Sequence, residues 1–162
     1  TIKGFEPLYI QRIAQLTNKS NQFNLTTLRC SEDDIRAMAG DKNDLCLCGK
    51  LVDKFGDNGI VAVVAGRQQG DVLDLTLWLM SCRVLKRGME DAMMDTVVAE
   101  AAARGVKTIV GHYYPTAKNA MVREFYAQYD FAKTAEDADG NTEWTLDVAA
   151  YAPKHPHMKI ER

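Results

Sequence analysis

Residues 72–94 read VLDLTLWLMSCRVLKRGMEDAMM. An apolar strand passes into a short run of cations and then into a helix. We expect the helix to span about 88–104, because Gly105 stands where a C-terminal stop belongs. The next segment, VKTIVGHYY (106–114), predicts another strand, which Pro115 ends. A strand, a helix and a strand in this order predict a crossover connection.

Short polar turns separate the other predicted strands. The strands are LCLCGKLVDKF (45–55), IVAVVAGRQ (60–68) and TEWTLDVA (142–149), and the turns are GDNG (56–59), QQGD (68–71) and DADGN (137–141). A further strand is predicted at 25–30, and helices are predicted at 31–40, where Ser31 is a good N-cap, and at 118–131. Hairpin-linked strands followed by a crossover predict an α/β (α+β) fold, with a mixed, mostly antiparallel central sheet flanked by helices.

The chain is predicted to form one domain with an appendage at each end. Residues 1–23 show a leading helix with helical apolar spacing and then a polar linker. The domain itself spans 24–150, and 151–162 form a tail. The tail contains His155 and His157, but we interpret this pair as part of a tail rather than as a metal site.

Composition narrows the classes of function. The 162 residues carry a net charge of −2, so no general attraction to nucleic acid or to an anionic membrane is expected. No apolar run approaches the roughly 20 residues that cross a bilayer, and no signal peptide is recognisable. The four cysteines and three histidines show no zinc spacing, so we predict no metal and reduced thiols in a cytoplasmic protein.

The turn after the long strand carries positive charge at a helix start. Arg83, Lys86 and Arg87 stand just before the helix, whose free N–H groups and dipole favour an anion. The ligand expected at such a turn is phosphate or pyrophosphate. A solvated basic loop is the alternative interpretation of the same residues.

Two motifs resemble the signatures of the Gcn5-related acyltransferases. CRVLKRG fits the pattern R-x-x-G-x-G at Arg83 and Gly88, although Lys86 replaces the first glycine. NAMVREFYAQYDF (119–131) resembles the second signature, in which an Asn opens a helix and a Tyr and a Phe close it. Asp130 stands where that signature usually has Gly. The resemblance covers about residues 25–149 and implies the acyltransferase fold.

Four blocks in order are similar to the C-terminal half of the FkbH-type proteins, which make extender units such as glyceryl and methoxymalonyl groups for polyketide synthases. The blocks are RIAQLTNKSNQFNLTT (12–27), FGDNGIV (55–61), WLMSCRVL (78–85) and YYPTAKNAMV (113–122). The resemblance implies acyl transfer from an activated phosphoglycerate to the phosphopantetheine thiol of an acyl carrier protein. It also implies a haloacid-dehalogenase-type phosphatase domain as partner, whose D-x-D-x-T/V motif follows no apolar strand in this sequence.

The resemblance suggests roles for particular residues. Cys82 lies near the end of the long strand, where Arg83, Arg87 and a helix start would lower the pKa of its thiol. His112 is the candidate base or proton shuttle, and Tyr126 matches the tyrosine that often protonates a leaving thiolate. The candidate binding residues for coenzyme A or phosphopantetheine are Arg83, Val84, Lys86, Arg87, Gly88, Lys118 and Asn119.

Plain structural roles stand beside each of these. Cys82 and His112 also fit a buried cysteine and a satisfied histidine, Asn119 fits a helix cap, and Tyr126 fits an aromatic packed on the sheet. Three functions therefore stay open: acyl transfer on a carrier protein, N-acetyl transfer from acetyl-coenzyme A, and non-catalytic docking of a carrier protein. Lys86 favours the carrier protein. The phosphopantetheine arm of a carrier protein has one phosphate, so it needs a less close approach to this loop than the diphosphate of coenzyme A does.

Overall fold

The computed structural model describes residues 2–5, 7–20, 23–26, 28–53, 56–81 and 89–152. Its strands form one sheet of seven in the order β1-β2-β3-β4-β5-β7-β6. They are β1 (Ile2–Lys3), β2 (Asp44–Asp53), β3 (Gly56–Gln69), β4 (Val72–Met80), β5 (Thr108–Tyr113), β6 (Ala132–Glu136) and β7 (Thr142–Asp147). Only β4 and β5 pair in parallel; the other neighbours are antiparallel. The predicted fold class is confirmed.

Helices cover both faces of the sheet. They are α1 (Ile10–Lys19), α2 (Glu32–Gly40) and α3 (Met89–Ala103). On one face α3 and the 119–131 segment pack against alternate strand residues such as Val64 and Trp78. On the other face α1 and α2 pack against the intervening residues, such as Val63 and Leu77. Alternation of this kind follows from the two-residue period of a strand.

Local sequence signals fix the helix ends. Ser31 and Asp34 form a reciprocal capping box at the start of α2. At the end of α3, Gly105 adopts a φ of 79°, which a side chain rarely tolerates. The N–H of Val106 then bonds to the carbonyl of Ala101 at 2.9 Å, so the last carbonyls are satisfied as in a Schellman motif. The predicted helix and its glycine stop are confirmed.

Several predicted elements differ from the structure. No ladder forms at 25–30 within the described residues, although Asn24 makes an isolated bridge to Leu79. The GDNG stretch lies inside β3 rather than in a turn, because β2 and β3 already meet at the pair Asp53 and Gly56. The single predicted helix at 118–131 is replaced by two short 3-10 turns, Ala120–Val122 and Tyr126–Tyr129. The sequence interpretation missed β1 and β6.

Both ends of the described chain contact the main body. In the leading segment, α1 buries Ile13 and Leu16 against the sheet. At the other end the hydroxyl of Tyr151 donates to the Asp95 carboxylate on α3. The proposed boundary at residue 23 stays a prediction. Among the described residues, no helix has the length and apolar character needed to cross a membrane.

Candidate functional site

The two parallel strands separate, and the region between their unpaired halves, 75–80 of β4 and 111–113 of β5, is called the cleft below. Within the described residues, β4 and β5 pair at only three positions, the last of which joins Asp74 to Val110. Just beyond it a bulge places Thr76 as an extra residue of β4, because Ala65 pairs with Leu77 and Gly66 with Leu75. Bulges bend a strand and increase its twist. The second halves of β4 and β5 therefore continue without pairing to each other.

An acid and a histidine meet where the strands separate. The Nε2 atom of His112 on β5 lies 2.5 Å from Oδ1 of Asp74 on β4. The histidine side chain is 19% exposed and the aspartate side chain 50% exposed, so solvent or a substrate can reach the pair. The ring of His112 also stacks on Tyr114, with centroids 5.9 Å apart. A histidine held in this way by a carboxylate is a suitable general base.

Tyr126 reaches the same region from the opposite face. Its ring lies directly on Gly111, where an added methyl group would stand 2.5 Å from the Cζ atom of the tyrosine. Only glycine permits this contact. Burial raises the pKa of the Tyr126 phenol well above its ordinary value, and the charge of Asp74 raises it further. The phenol therefore stays protonated near neutral pH, and Asp74 contributes to its raised pKa.

Asn119 is fully buried beside the segment 23–26. Its side-chain oxygen accepts from the N–H of Thr116 at 2.7 Å and from the Tyr113 hydroxyl at 3.3 Å. Its amide nitrogen donates to the carbonyls of Asn24 at 3.0 Å and Tyr114 at 2.9 Å. These bonds use the amide within the chain. The alternative that Asn119 caps a helix through its side chain is wrong, since no such cap bond forms.

The chain itself enters the cleft at residues 23–26. The N–H of Leu25 donates to the carbonyl of Trp78 at 3.0 Å, and the N–H of Met80 donates to the carbonyl of Phe23 at 3.0 Å. On the β5 side, the N–H of Tyr114 donates to the carbonyl of Leu25 at 2.8 Å. The segment therefore bridges the two strands where they no longer pair.

Most of the predicted anion-binding turn lies outside the described residues. This applies to Cys82, Arg83, Val84, Lys86, Arg87 and Gly88, so their roles stay predictions. The turn joins the end of β4 to the start of α3. Lys118 is exposed beside the cleft, and its backbone N–H donates to the Thr116 hydroxyl at 3.1 Å.

Two cysteines in the described part of the chain are poor nucleophiles. Cys30, Cys46 and Cys48 form no disulfide among the described residues. Burial raises the pKa of Cys46 to about 12, and burial also raises the pKa of Cys30. Neither is a thiolate near neutral pH. Nor does the described part of the chain bring together three side chains that could hold a metal ion.

The structure thus brings His112, Tyr126 and Asn119 to one cleft and leaves Lys118 at its edge. It also reveals Asp74, which the sequence interpretation missed. The available signal was one carboxylate inside an otherwise apolar strand, VLDLTLWLM. Charged groups in such a position usually have a partner.

Comparisons with known proteins identify the fold. No protein-family model and no curated protein matches the chain. Solved structures do match: the ribosomal-protein-S18-alanine N-acetyltransferase from Escherichia coli is 16% identical with a TM-score of 0.68, covering 91% of this chain and 93% of that one. The GNAT domain of S. lividans PAT is 16% identical with a TM-score of 0.69, covering 90% and 89%. An aminoglycoside 6'-N-acetyltransferase complexed with coenzyme A is 13% identical with a TM-score of 0.66, covering 91% and 97%. The chain has the fold of the Gcn5-related N-acetyltransferases.

Proposed function

We propose that the chain is an acyltransferase domain that acts on thioesters of an acyl carrier protein during the synthesis of glyceryl- or methoxymalonyl-type extender units. The acyl group is carried on a phosphopantetheine arm that lies in the cleft between β4 and β5. The partner domain is a haloacid-dehalogenase-type phosphatase, which supplies or retains the activated glycerate.

One observation carries this proposal: the four blocks that resemble FkbH-type proteins meet at the end of β4. Residues 23–26 of the first block bond to Trp78 and Met80 of the third. Val61 of the second block accepts from the N–H of Ser81 at 2.7 Å, and Asn119 of the fourth donates to the Asn24 carbonyl. This proximity of the four blocks supports a shared site.

The proposed chemistry has two balanced steps. The Cys82 thiolate attacks the carbonyl of an acyl phosphate, forming a thioester as the C–O bond breaks and phosphate leaves. The carrier thiol then attacks that thioester while His112 takes its proton, and the Cys82–acyl bond breaks. The departing sulfur receives a proton from Tyr126, which stays protonated because its pKa is raised. Asp74 orients the imidazole of His112.

Intact-protein mass spectrometry tests the proposal. The domain is mixed with its phosphatase partner, bisphosphoglycerate and a holo carrier protein, and the acyl adduct is followed on both proteins. We expect an adduct on the domain that Cys82→Ala abolishes, with Cys46→Ala as the matched control that retains it. An adduct that survives Cys82→Ala would remove that residue from the reaction.

A second candidate is N-acetyl transfer from acetyl-coenzyme A. Two structures with this fold contain coenzyme A, one of them an aminoglycoside 6'-N-acetyltransferase. Titration calorimetry with acetyl-coenzyme A separates this candidate from the first. Binding without any carrier protein would favour it, and no heat at millimolar concentration would count against it.

A third candidate is a non-catalytic docking module for the carrier protein. It is favoured by the amide of Asn119, whose hydrogen bonds are all made within the chain. If His112→Ala and Tyr126→Phe leave turnover of the partner intact while carrier binding depends on Arg83 and Arg87, docking is the function.

A further inference from the structure

We propose that residues 23–26 form a displaceable strap that holds the cleft closed, and that a thioester arm enters only after the strap has left. The second half of this statement rests on the proposed function, whereas the first half does not. The strap occupies the free edge of β4 beside the unpaired half of β5.

The strap uses the backbone groups that an extended arm needs. It donates to the Trp78 carbonyl through Leu25 and accepts from the Met80 N–H through Phe23. A pantetheine arm carries two amides, each with one N–H and one C=O group. An arm lying along β4 would need these same partners, because an unpaired backbone group inside the cleft is costly. Strap and arm therefore compete for one edge.

Side chains on both walls hold the strap in place. The Thr26 hydroxyl donates to the Thr76 carbonyl at 2.9 Å, at the bulge of β4. From the other wall, the amide of Asn119 donates to the Asn24 carbonyl at 3.0 Å. The candidate arm-binding residue Asn119 is therefore occupied by the strap in the closed state.

The strap is deeply buried although it belongs to no ladder. Asn24 and Leu25 are fully buried, and Phe23 is 5% exposed with its ring 5.1 Å from that of Phe125. Within the sheet, Asn24 makes an isolated bridge to Leu79 rather than a ladder. The buried apolar side chains keep the cleft closed, and local opening of such a segment costs less than unfolding of the sheet.

The chain is fastened where it departs for the strap and where it returns. The N–H of Cys30 donates to the Thr17 hydroxyl at 3.0 Å, and the Asn18 amide donates to the Cys30 carbonyl at 3.0 Å. The guanidinium of Arg29 donates to the Ser20 carbonyl at 2.9 Å and to the Thr17 carbonyl. These bonds involve neither β4 nor β5. The strap can therefore leave the cleft while its base stays fastened to the end of α1.

Amide hydrogen exchange measured by NMR on the unmodified chain tests the strap directly. We expect the amides of Leu25, Met80 and Tyr114 to exchange together and at least about 100-fold faster than the amides of the β3–β4 ladder, because local opening costs less than global unfolding. Exchange at the ladder rate would mean that the strap leaves only when the whole sheet unfolds. That result overturns the proposal.

Adding 4'-phosphopantetheine, coenzyme A or a holo carrier protein gives a second readout with a definite sign. With an arm bound, the Leu25 amide loses protection, while the Met80 and Tyr114 amides keep it because the arm replaces their partner. Binding that leaves Leu25 protected contradicts the proposal. If the strap opens but none of the three probes binds, the proposed function is contradicted. The proposal that the strap is displaceable is then still supported.

A reversible lock supplies the matched control. Asn24 and Leu79 face each other as a pair without mutual hydrogen bonds, in which side chains approach most closely. In the double variant Asn24→Cys/Leu79→Cys, oxidation should weaken arm binding by at least about tenfold, and reduction should restore it. Oxidised unmodified chain controls for the native thiols. Equal binding by the oxidised and reduced forms would contradict the lock.

Discussion

Tyr126, His112 and Asp74 lie around the point where β4 and β5 separate, and they differ in burial and in ionisation. Tyr126 is buried, and its raised pKa keeps it a phenol. His112 is reachable from solvent, and its Nε2 atom contacts the Asp74 carboxylate. Asp74 contacts His112 and contributes to the raised pKa of Tyr126, so it lies between the two predicted catalytic residues.

Tyr126→Phe should lower acyl transfer by about 100-fold while leaving the fold intact, because it removes a proton donor but keeps the ring that packs on Gly111. Steady-state kinetics and thermal unfolding measure the two effects. Tyr129→Phe is the matched control: its hydroxyl donates to Asp91 at 2.6 Å on α3, so its loss should cost about 1 kcal/mol of stability without slowing transfer. Equal rates for both variants would exclude Tyr126 as the donor.

Asp74→Asn and His112→Asn should each lower transfer by about 100-fold, and the double variant should be no slower than either single one, because the carboxylate acts through the imidazole. Steady-state kinetics of the two single variants and the double variant measure this coupling. Additive losses would show that the two residues act separately.

Thiol labelling should rank the cysteines by their ionisation. With a pKa of about 12, only about one Cys46 in ten thousand is a thiolate at pH 8, so its labelling should be slow and should rise tenfold for each pH unit. We expect Cys82 to react first at pH 7, because nearby cations favour its thiolate. Labelling in guanidinium, where all four should react alike, is the control. Cys82 reacting no faster than glutathione would argue against a nucleophilic role.

His112 and Tyr126 could be proposed from the sequence because their residue types and motif positions are informative. Asp74 could not be paired with His112, because the two are 38 positions apart and meet only through the parallel register of β4 with β5. Sequence spacing does not specify that register, which depends on the packing of α3 across the sheet.

At the scale of an element, the 119–131 segment shows where periodicity misleads. Its buried residues Val122, Phe125, Tyr126 and Tyr129 recur at a spacing that suits a 3-10 turn as well as an α-helix. The second turn ends at Asp130, which adopts a φ of 71°. This left-handed conformation explains why glycine is usual at that place in the signature that the segment resembles.

The effect of a substitution at Asp130 on stability should depend on how well the new residue tolerates a positive φ, and not on the loss of the carboxylate. Asp130→Gly should change the free energy of unfolding by less than about 1 kcal/mol, because glycine adopts the conformation freely. Asp130→Val should destabilise by about 2 kcal/mol, because a β-branched side chain resists positive φ. Urea denaturation measures both. Equal stability of the two variants would show that the turn relaxes to another conformation.

At the scale of the whole molecule, the hairpins of β2, β3 and β4 and the crossover to β5 could be predicted, but the path of the first 30 residues could not. Hairpins and a crossover specify neighbours in the sheet from local signals. The leading segment depends on distant partners instead: Leu25 bonds to Trp78, and Asn24 to Asn119. Among the described residues of 25–30, the predicted strand does not form.

Removal of the bulge residue Thr76 should close the cleft without disrupting the fold. Leu75 and Leu77 already face opposite sides of the sheet, although they stand two positions apart. Deleting Thr76 would therefore restore regular alternation without turning any side chain from one core to the other. We expect the deletion to keep a single cooperative urea transition and to abolish arm binding, since β4 and β5 could then pair along their length. Retained binding, or loss of the cooperative transition, would contradict this.

Loss of one residue would thus yield a chain that folds but has no cleft. Few sheets tolerate the removal of a single residue from a central strand, because every later side chain of that strand then ordinarily moves to the opposite face of the sheet. In β4 the deletion of Thr76 instead removes an existing bulge. The separation of β4 and β5 therefore depends on one extra residue of backbone rather than on any side chain in the cleft.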